Sequence, residues 1–412
     1  MDPNQLCLRA LDTTRAILVG VRPASELVAF DSATHVLHAG PELSLEELPG
    51  PMRGALLGAL VFEGAARTLP EAEEVARSGA VTLTPCHAAG GVGAMAGIVT
   101  RRMPVVVVEA SGGRRAFCPV NEGLGRALRF GSNAPDILDR LHWISEVAMP
   151  VLDGAIAAAG PIDITELQAE GLRRGDECHN RNVASTAALV LRLTPAIVRA
   201  APSAEVAARV IEYAAGNPHF FLSFSMAAAK ALGDAATGMA GSSLLTGISA
   251  NGRRLGIRVS ETGERWFTGP APLGEPRLFE GYMLADAQPM MGDSFATEVV
   301  GLGAFALNAA PAIASFIGGD AATAAETVRL MRGICAGEST RFLAPYEDFR
   351  GTPLGIDVRR VAETGVAPVV NNGFAHREAG RGQVGAGITR LPLEVFVEAA
   401  AALGSPPERV GA

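Results

Sequence analysis

Lysine is nearly missing from this chain. Of its 35 basic residues only Lys230 is lysine. The arginines form no run resembling a basic arm, and the net charge is −8, so a nucleic-acid partner is not expected. Cysteine is sparse as well. The five, at 7, 86, 118, 178 and 335, are odd in number, widely spaced and never in a CxxC pair. That excludes a disulfide framework or a structural zinc ribbon and points to a reduced, cytoplasmic protein. Charged residues are only 19% and apolar residues 48%, which excludes a disordered chain. No apolar run reaches the ~18 residues of a spanning helix, so no membrane segment is expected. Met1-Asp2-Pro3-Asn4 does not lead a basic stretch into an apolar one, and no signal peptide is expected.

A codon bias toward arginine accounts for most of the lysine deficit. A lysine kept in that background still offers an amine whose pKa can be lowered, which a guanidinium cannot match. Chance retention on a helix face is the competing reading of Lys230.

Reactive groups are densest at Gly175-Asp176-Glu177-Cys178-His179-Asn180-Arg181-Asn182. Val183 to Leu193 then reads as helix. A helix starting near Asp176 puts Asp176, His179, Val183 and Thr186 on one face and makes Glu177 and Arg181 an i, i+4 pair. Asp176 then serves as N-cap and Glu177 complements the helix dipole. Capping explains the two acids but not His179, Asn180 and Asn182 crowded behind them.

The chain divides by composition into three stretches. Residues 1–133 mix strands (Ala16–Val21, Val81–Leu83, Met103–Glu109) with helices at Met52–Ala66 and from Leu69, an α+β unit. Residues 134–212 read as helical throughout. Pro135 opens a helix reaching Leu152, and Asp163 caps another over Ile164–Arg174. Residues 213–412 return to α+β. Phe220–Ala231 is a helix, and Gly256–Val259 pairs with Arg265–Thr268 across a turn. A helix runs from Gly292-Asp293-Ser294 to Ala310, and Leu302–Ile317 is buried helix. Gly373–Gly387 is a loop, and Leu393–Leu403 is the last helix. The fold class is thus α+β, two mixed α/β units flanking a helical subdomain.

No cofactor motif stands. Gly380-Arg381-Gly382-Gln383-Val384-Gly385 matches G-x-G-x-x-G but lies too near the C-terminus to open a βαβ unit. There is no GxxxxGK[ST] loop. No H-E-x-x-H spacing supports a metal site. Cys86-His87 are neighbours whose side chains diverge in regular structure, so His87 is a better ligand-binding group than Cys86 is a nucleophile. Asp293-Ser294 reads as a helix start. Asn371-Asn372 with His376 and Arg377 would suit a planar amide or carboxylate.

These motifs together resemble the YlbE/YahG-like family, over nearly the whole chain. The resemblance rests on Pro85-Cys86-His87, Met95-Ala96-Gly97, Asn121-Glu122-Gly123-Leu124-Gly125, Gly175-Asp176-Glu177 with His179, Arg181 and Asn182, Gly292-Asp293-Ser294, and Ala375-His376 with Gly382-Gln383. One branch is similar to a subunit of oxamate carbamoyltransferase in bacterial allantoin breakdown. The resemblance implies transfer of a carbamoyl group from oxalurate to phosphate, giving oxamate and carbamoyl phosphate. It implies partner subunits, one of the FdrA type. A homo-oligomer is a further expectation, and an amidohydrolase of a small ureido or imide compound, or a non-catalytic structural or regulatory subunit, are the alternatives. The resemblance brings no catalytic residues with it. The residues themselves nominate His179, Asp176, Glu177 and His376 for catalysis. They nominate His87, Arg181, Asn182, Asp293, Ser294, Arg377 and Lys230 for binding substrate or phosphate.

Overall fold

A computed structural model describes residues 2–316 and 319–404. The fold is α+β, with several small sheets and no barrel among the described residues. At its centre lies the helix Leu222–Ala235, in which every residue from Leu222 to Gly233 is buried. Its sequence, LSFSMAAAKALGDA, explains this: alanines and small polar groups let backbones approach closely on all sides. One side packs on the antiparallel sheet formed by Arg115–Pro119, Pro104–Ala110, Ala16–Pro23 and Ile162–Asp163, in that order. Another side meets the sheet of Met291–Gly292, Leu245–Asn251, Arg254–Val259 and Trp266–Pro270. The four valines after Pro104 are fully buried, as a strand covered on both faces requires. One apolar cluster runs through this centre and takes residues from all three compositional stretches, from Cys7 through Val210 to Ala399.

Several expected elements form as read. The pair Arg254–Val259 and Trp266–Pro270 is antiparallel. Asp163 caps the helix Ile164–Arg173, its Oδ1 accepting from the Thr165 N–H at 2.9 Å. The helix opened by Pro135 continues to Ala159, but with a π turn at Ile144–Ala148. Pro150, just beyond, has no N–H to give the preceding turn, and the wider turn absorbs that loss.

Three expectations are corrected. The helix expected from Asp293 to Ala310 is only Ala296–Val299, followed by 3-10 turns over Gly303–Ala309. Gly301 and Gly303 take φ of +85° and +58°, which end an α-helix. The buried helix expected over Leu302–Ile317 is accordingly those turns and a short helix Pro311–Phe316, Ile317 lying outside the described residues. The loop expected over Gly373–Gly387 is largely a hairpin of Val369–Ala375 and Gln383–Arg390. Its glycines are explained by packing: Cβ atoms at 385 and 387 would strike the backbone of the neighbouring strand Glu275–Leu278.

The helix Val183–Ala200 is the one described helix long and apolar enough to cross a membrane. It carries Arg192 and Arg199 and packs on the helices Ile164–Arg173, Met149–Ala159 and Ala204–Ala215.

Candidate functional site

The stretch 175–182 is not the start of a helix, and the reading of a helix from near Asp176 is corrected. The helix begins at Val183 with Asn182 as its N-cap residue. Asp176 nevertheless caps it from a distance. Its Oδ2 accepts from the backbone N–H and hydroxyl of Ser185 at 2.8 and 3.0 Å, in the first turn. A β-carbon at Gly171 would overlap the Ser185 hydroxyl, so glycine is required for this approach.

Between Asp176 and Asn182 the chain forms a tight loop. Cys178 takes φ of +61°, a left-handed conformation that costs energy for a side chain other than glycine. Its N–H donates to the Arg181 carbonyl at 3.0 Å. The fold stabilises the turn by filling it with Glu177. That carboxylate accepts the backbone N–H groups of His179, Asn180 and Arg181 at 2.5, 2.6 and 3.1 Å, and the Asn371 amide at 3.1 Å. Glu177 is fully buried, and burial pushes its pKa up to about 7 against the pull of His179 and the backbone amides.

The loop turns His179 inward, 2% exposed. Its Nδ1 lies 2.9 and 3.1 Å from the two carboxylate oxygens of Glu298. Glu298 is held in turn by the N–H of Asn371 (2.9 Å), the Thr297 hydroxyl (2.9 Å) and the N–H of Ala304 (3.2 Å). Gly303 makes room for it, since a β-carbon there would overlap the carboxylate. Burial works against a charged imidazole, but Glu298 outweighs it and the His179 pKa is raised. Among the described residues Nε2 makes no hydrogen bond. The result is an imidazole with one nitrogen fixed by a carboxylate and the other without a protein partner among the described residues, an arrangement suited to a general acid or base.

Amide groups surround this pair with atoms to spare. Asn182 donates its Nδ2 to the His179 carbonyl at 2.7 Å, which leaves its Oδ1 unpartnered. Asn371 donates to Glu177, and its Oδ1 is likewise unpartnered. Asn180 keeps an unpartnered Nδ2. Half-buried His219 sits close by, its pKa lowered to about 3 by burial and by nearby Arg129.

The other nominated residues fall in two further places. Asp293 is fully buried and ties three segments together through the N–H groups of Gly40 and Gly93 (2.9 and 2.8 Å) and the Ser249 hydroxyl. Burial raises its pKa to about 6. His87 Nε2 is 3.9 Å away from it, without a hydrogen bond. Ser294 follows in the same turn. Lys230 meets the Asp234 carboxylate one helical turn on and lines an open cleft with His87. His376 and Arg377 lie at the far end of the strand that carries Asn371. His376 accepts from the Glu378 N–H at 2.9 Å and faces Asp286 at 3.7 Å, and Arg377 donates to the Ala285 carbonyl. No hydrogen bond joins them to His179 among the described residues. Arg181 reaches Asp176 (Nε to Oδ1, 3.4 Å), not the Glu177 carboxylate through its side chain.

Glu298 was legible only as part of a helix start. Nothing in Phe295-Ala296-Thr297-Glu298 marks it as the partner of a histidine 119 residues away. No cluster of three or more His, Cys, Asp or Glu able to hold a metal occurs among the described residues.

The family described as "Oxamate carbamoyltransferase subunit AllG" matches residues 81–294 of this chain. The chain is 40% identical over 404 residues to the oxamate carbamoyltransferase subunit AllG of Escherichia coli (strain K12), covering 97% of this chain and 96% of that one. It is also 40% identical to the uncharacterized protein YahG of the same organism, covering 96% of this chain and 84% of that one. A crystal structure of a conserved protein of unknown function from Enterococcus faecalis V583 superposes with a TM-score of 0.95 at 41% identity, over 98% of this chain and 97% of that one.

Proposed function

This chain belongs to the AllG/YahG family, and from that premise we propose that it is a subunit of a carbamoyl-transferring enzyme, with His179 as its proton-transfer group. The reaction proposed is that of oxalurate with phosphate, giving oxamate and carbamoyl phosphate. A phosphate oxygen attacks the ureido carbonyl carbon, a C–O bond forms, and the C–N bond to the oxamate half breaks. The departing nitrogen needs a proton, and the attacking hydrogen phosphate has one to lose. His179 moves it: Nε2 donates to the leaving nitrogen and recovers a proton from the phosphate hydroxyl, while Glu298 holds Nδ1 and stabilises the imidazolium.

The observation that carries the reading is the buried His179–Glu298 pair, whose Nε2 makes no hydrogen bond among the described residues. The leftover amide atoms support the substrate class. A ureido group offers N–H donors and one carbonyl acceptor. Asn182 Oδ1 and Asn371 Oδ1 are free acceptors, and Asn180 Nδ2 is a free donor. Glu177 and Asp176 act as supports, one filling the loop and one capping the following helix. Arg181, in the same loop as His179, 34% exposed at its side chain and only loosely paired, is the cation proposed for the carboxylate end of the substrate. Partner subunits, including an FdrA-like one, are part of this proposal, since the AllG relative is itself named a subunit.

The test is carbamoyl phosphate formation from oxalurate and phosphate, measured with the chain alone and with partner subunits. Loss of activity in His179→Asn within the assembled enzyme supports a catalytic role. Full activity there would leave a structural or regulatory subunit. Breakdown of oxalurate without phosphate would favour the amidohydrolase.

A further inference from the structure

We propose that the cleft between Trp266 and Lys230 is a binding site for a small oxyanion, either phosphate or the carboxylate of an organic acid. The cleft has a volume of about 470 Å³ and is lined by His87, Arg114, Lys230, Asp234, Arg258 and Trp266, among others. Its lining includes none of the groups around His179.

The argument is an inventory of donors. Lys230 is the one lysine in the chain and is only 4% exposed. An ammonium carries three donors, and among the described residues its single hydrogen bond goes to Asp234. Arg258 is also 4% exposed. Its guanidinium lies 4.4 Å from the centre of the Trp266 ring, and its Nε has no partner. Its one carboxylate, Glu264, is 68% exposed at its side chain and free to swing into water. Arg114 has a single weak hydrogen bond, 3.4 Å to the Asp234 carbonyl, and no carboxylate within 4.0 Å among the described residues. His87 stands edge-on to Trp266 at 5.0 Å, with Nε2 unpartnered.

Lys230 and Arg258 are largely withdrawn from bulk water, yet each keeps donors that no protein acceptor fills among the described residues. A ligand with several closely spaced anionic oxygens offers acceptors to the Lys230 ammonium and the Arg258 guanidinium at once, with exposed Arg114 beside them. The indole beside Arg258 gives the site a flat wall and holds the guanidinium in place. Glu42, Asp234 and Glu264, which also line the cleft, offset part of its positive charge. This inference does not rest on the transferase reading, because binding is measured without turnover.

Trp266 reports on the site directly. The chain has two tryptophans, and Trp143 packs elsewhere, on Tyr213 and Arg209. In a full-length Trp143→Phe background, emission of Trp266 is followed while inorganic phosphate is added, and separately oxamate, with chloride holding the ionic strength constant. A saturable change with phosphate alone identifies a phosphate site, and one with oxamate alone identifies a carboxylate site. Lys230→Gln and Arg114→Met are each expected to weaken binding about tenfold or more. Glu264→Gln, which frees Arg258, is expected to bind at least as tightly as the parent. Arg114 is exposed, so its replacement tests the site even where Lys230→Gln lowers stability. Absence of saturation with both anions would overturn the inference. So would saturation that Arg114→Met leaves unchanged.

Discussion

His179 and Glu298 are 119 residues apart in the chain, yet Nδ1 of one lies 2.9 Å from a carboxylate oxygen of the other. Glu298 has its two oxygens occupied by four donor groups, counting His179, and so has no freedom to leave the imidazole. That rigidity makes the pair testable.

Glu298→Gln keeps the size of the side chain but removes the charge that favours an imidazolium. His179→Asn removes the proton carrier. In the assembled enzyme each is expected to lower kcat on the order of a hundred- to ten-thousandfold. KM for oxalurate should change much less. A pH profile separates the two roles: Glu298→Gln should shift the limb assigned to His179 toward lower pH, because the raised pKa depends on Glu298. An unshifted limb in an active Glu298→Gln enzyme would remove His179 from the proposal.

Gly303→Ala tests the same pair through the backbone. The added carbon would overlap the Glu298 carboxylate, and φ of +58° is unfavourable for alanine. A stability loss of about 1 kcal/mol or more is expected from the backbone alone. Activity should fall further than that loss explains, as it does in Glu298→Gln. A variant as active as the parent, by the same carbamoyl phosphate assay, would contradict the placement of Glu298.

Glu177 makes a prediction about pH and stability. Its folded pKa is about 7 against an ordinary 4.5, so the folded state holds a proton that the unfolded state has lost. Its contribution is therefore fully present below about pH 4.5 and declines as pH rises toward about 7. In Glu177→Gln that decline is absent. Thermal midpoints measured from about pH 5 to 8 should fall less steeply in the variant than in the parent. Parallel curves would show that Glu177 does not titrate in this range.

Asp176→Ala removes the acceptor for two donors of Ser185 and the anchor of Arg181. The expected cost is about 1–2 kcal/mol, typical of a lost helix cap, read from chemical denaturation. Asp176→Asn should cost less, because an amide oxygen can still accept from Ser185. Equal losses in the two variants would mean that the charge, through Arg181, matters more than the cap.

Local chemistry alone determined several features of this protein. Pro104 and four valines announced a strand covered on both faces, and it is one. Asp163 announced a cap, and it caps. The density of reactive groups at 176–182 marked a candidate site, though read as the start of a helix, because polar residues rarely crowd ahead of an apolar helix without partners. What the sequence left open was who those partners are. Asp176 looked like the first residue of a helix because a helix N-terminus needs a carboxylate. The helix does receive that carboxylate, but from seven residues before its first turn, across a loop that Cys178 turns by a left-handed step. Glu298 and Asn371 reach His179 only because the turns after Gly301 and the hairpin from Val369 return the chain to the same place. Hydrogen bonds over 73 to 194 residues leave no periodic trace in a sequence, and packing around the central Leu222–Ala235 helix decides them. For the same reason His87 and Lys230, each plain in its own segment, become neighbours of Arg258 and Trp266 only once the two sheets close on that helix.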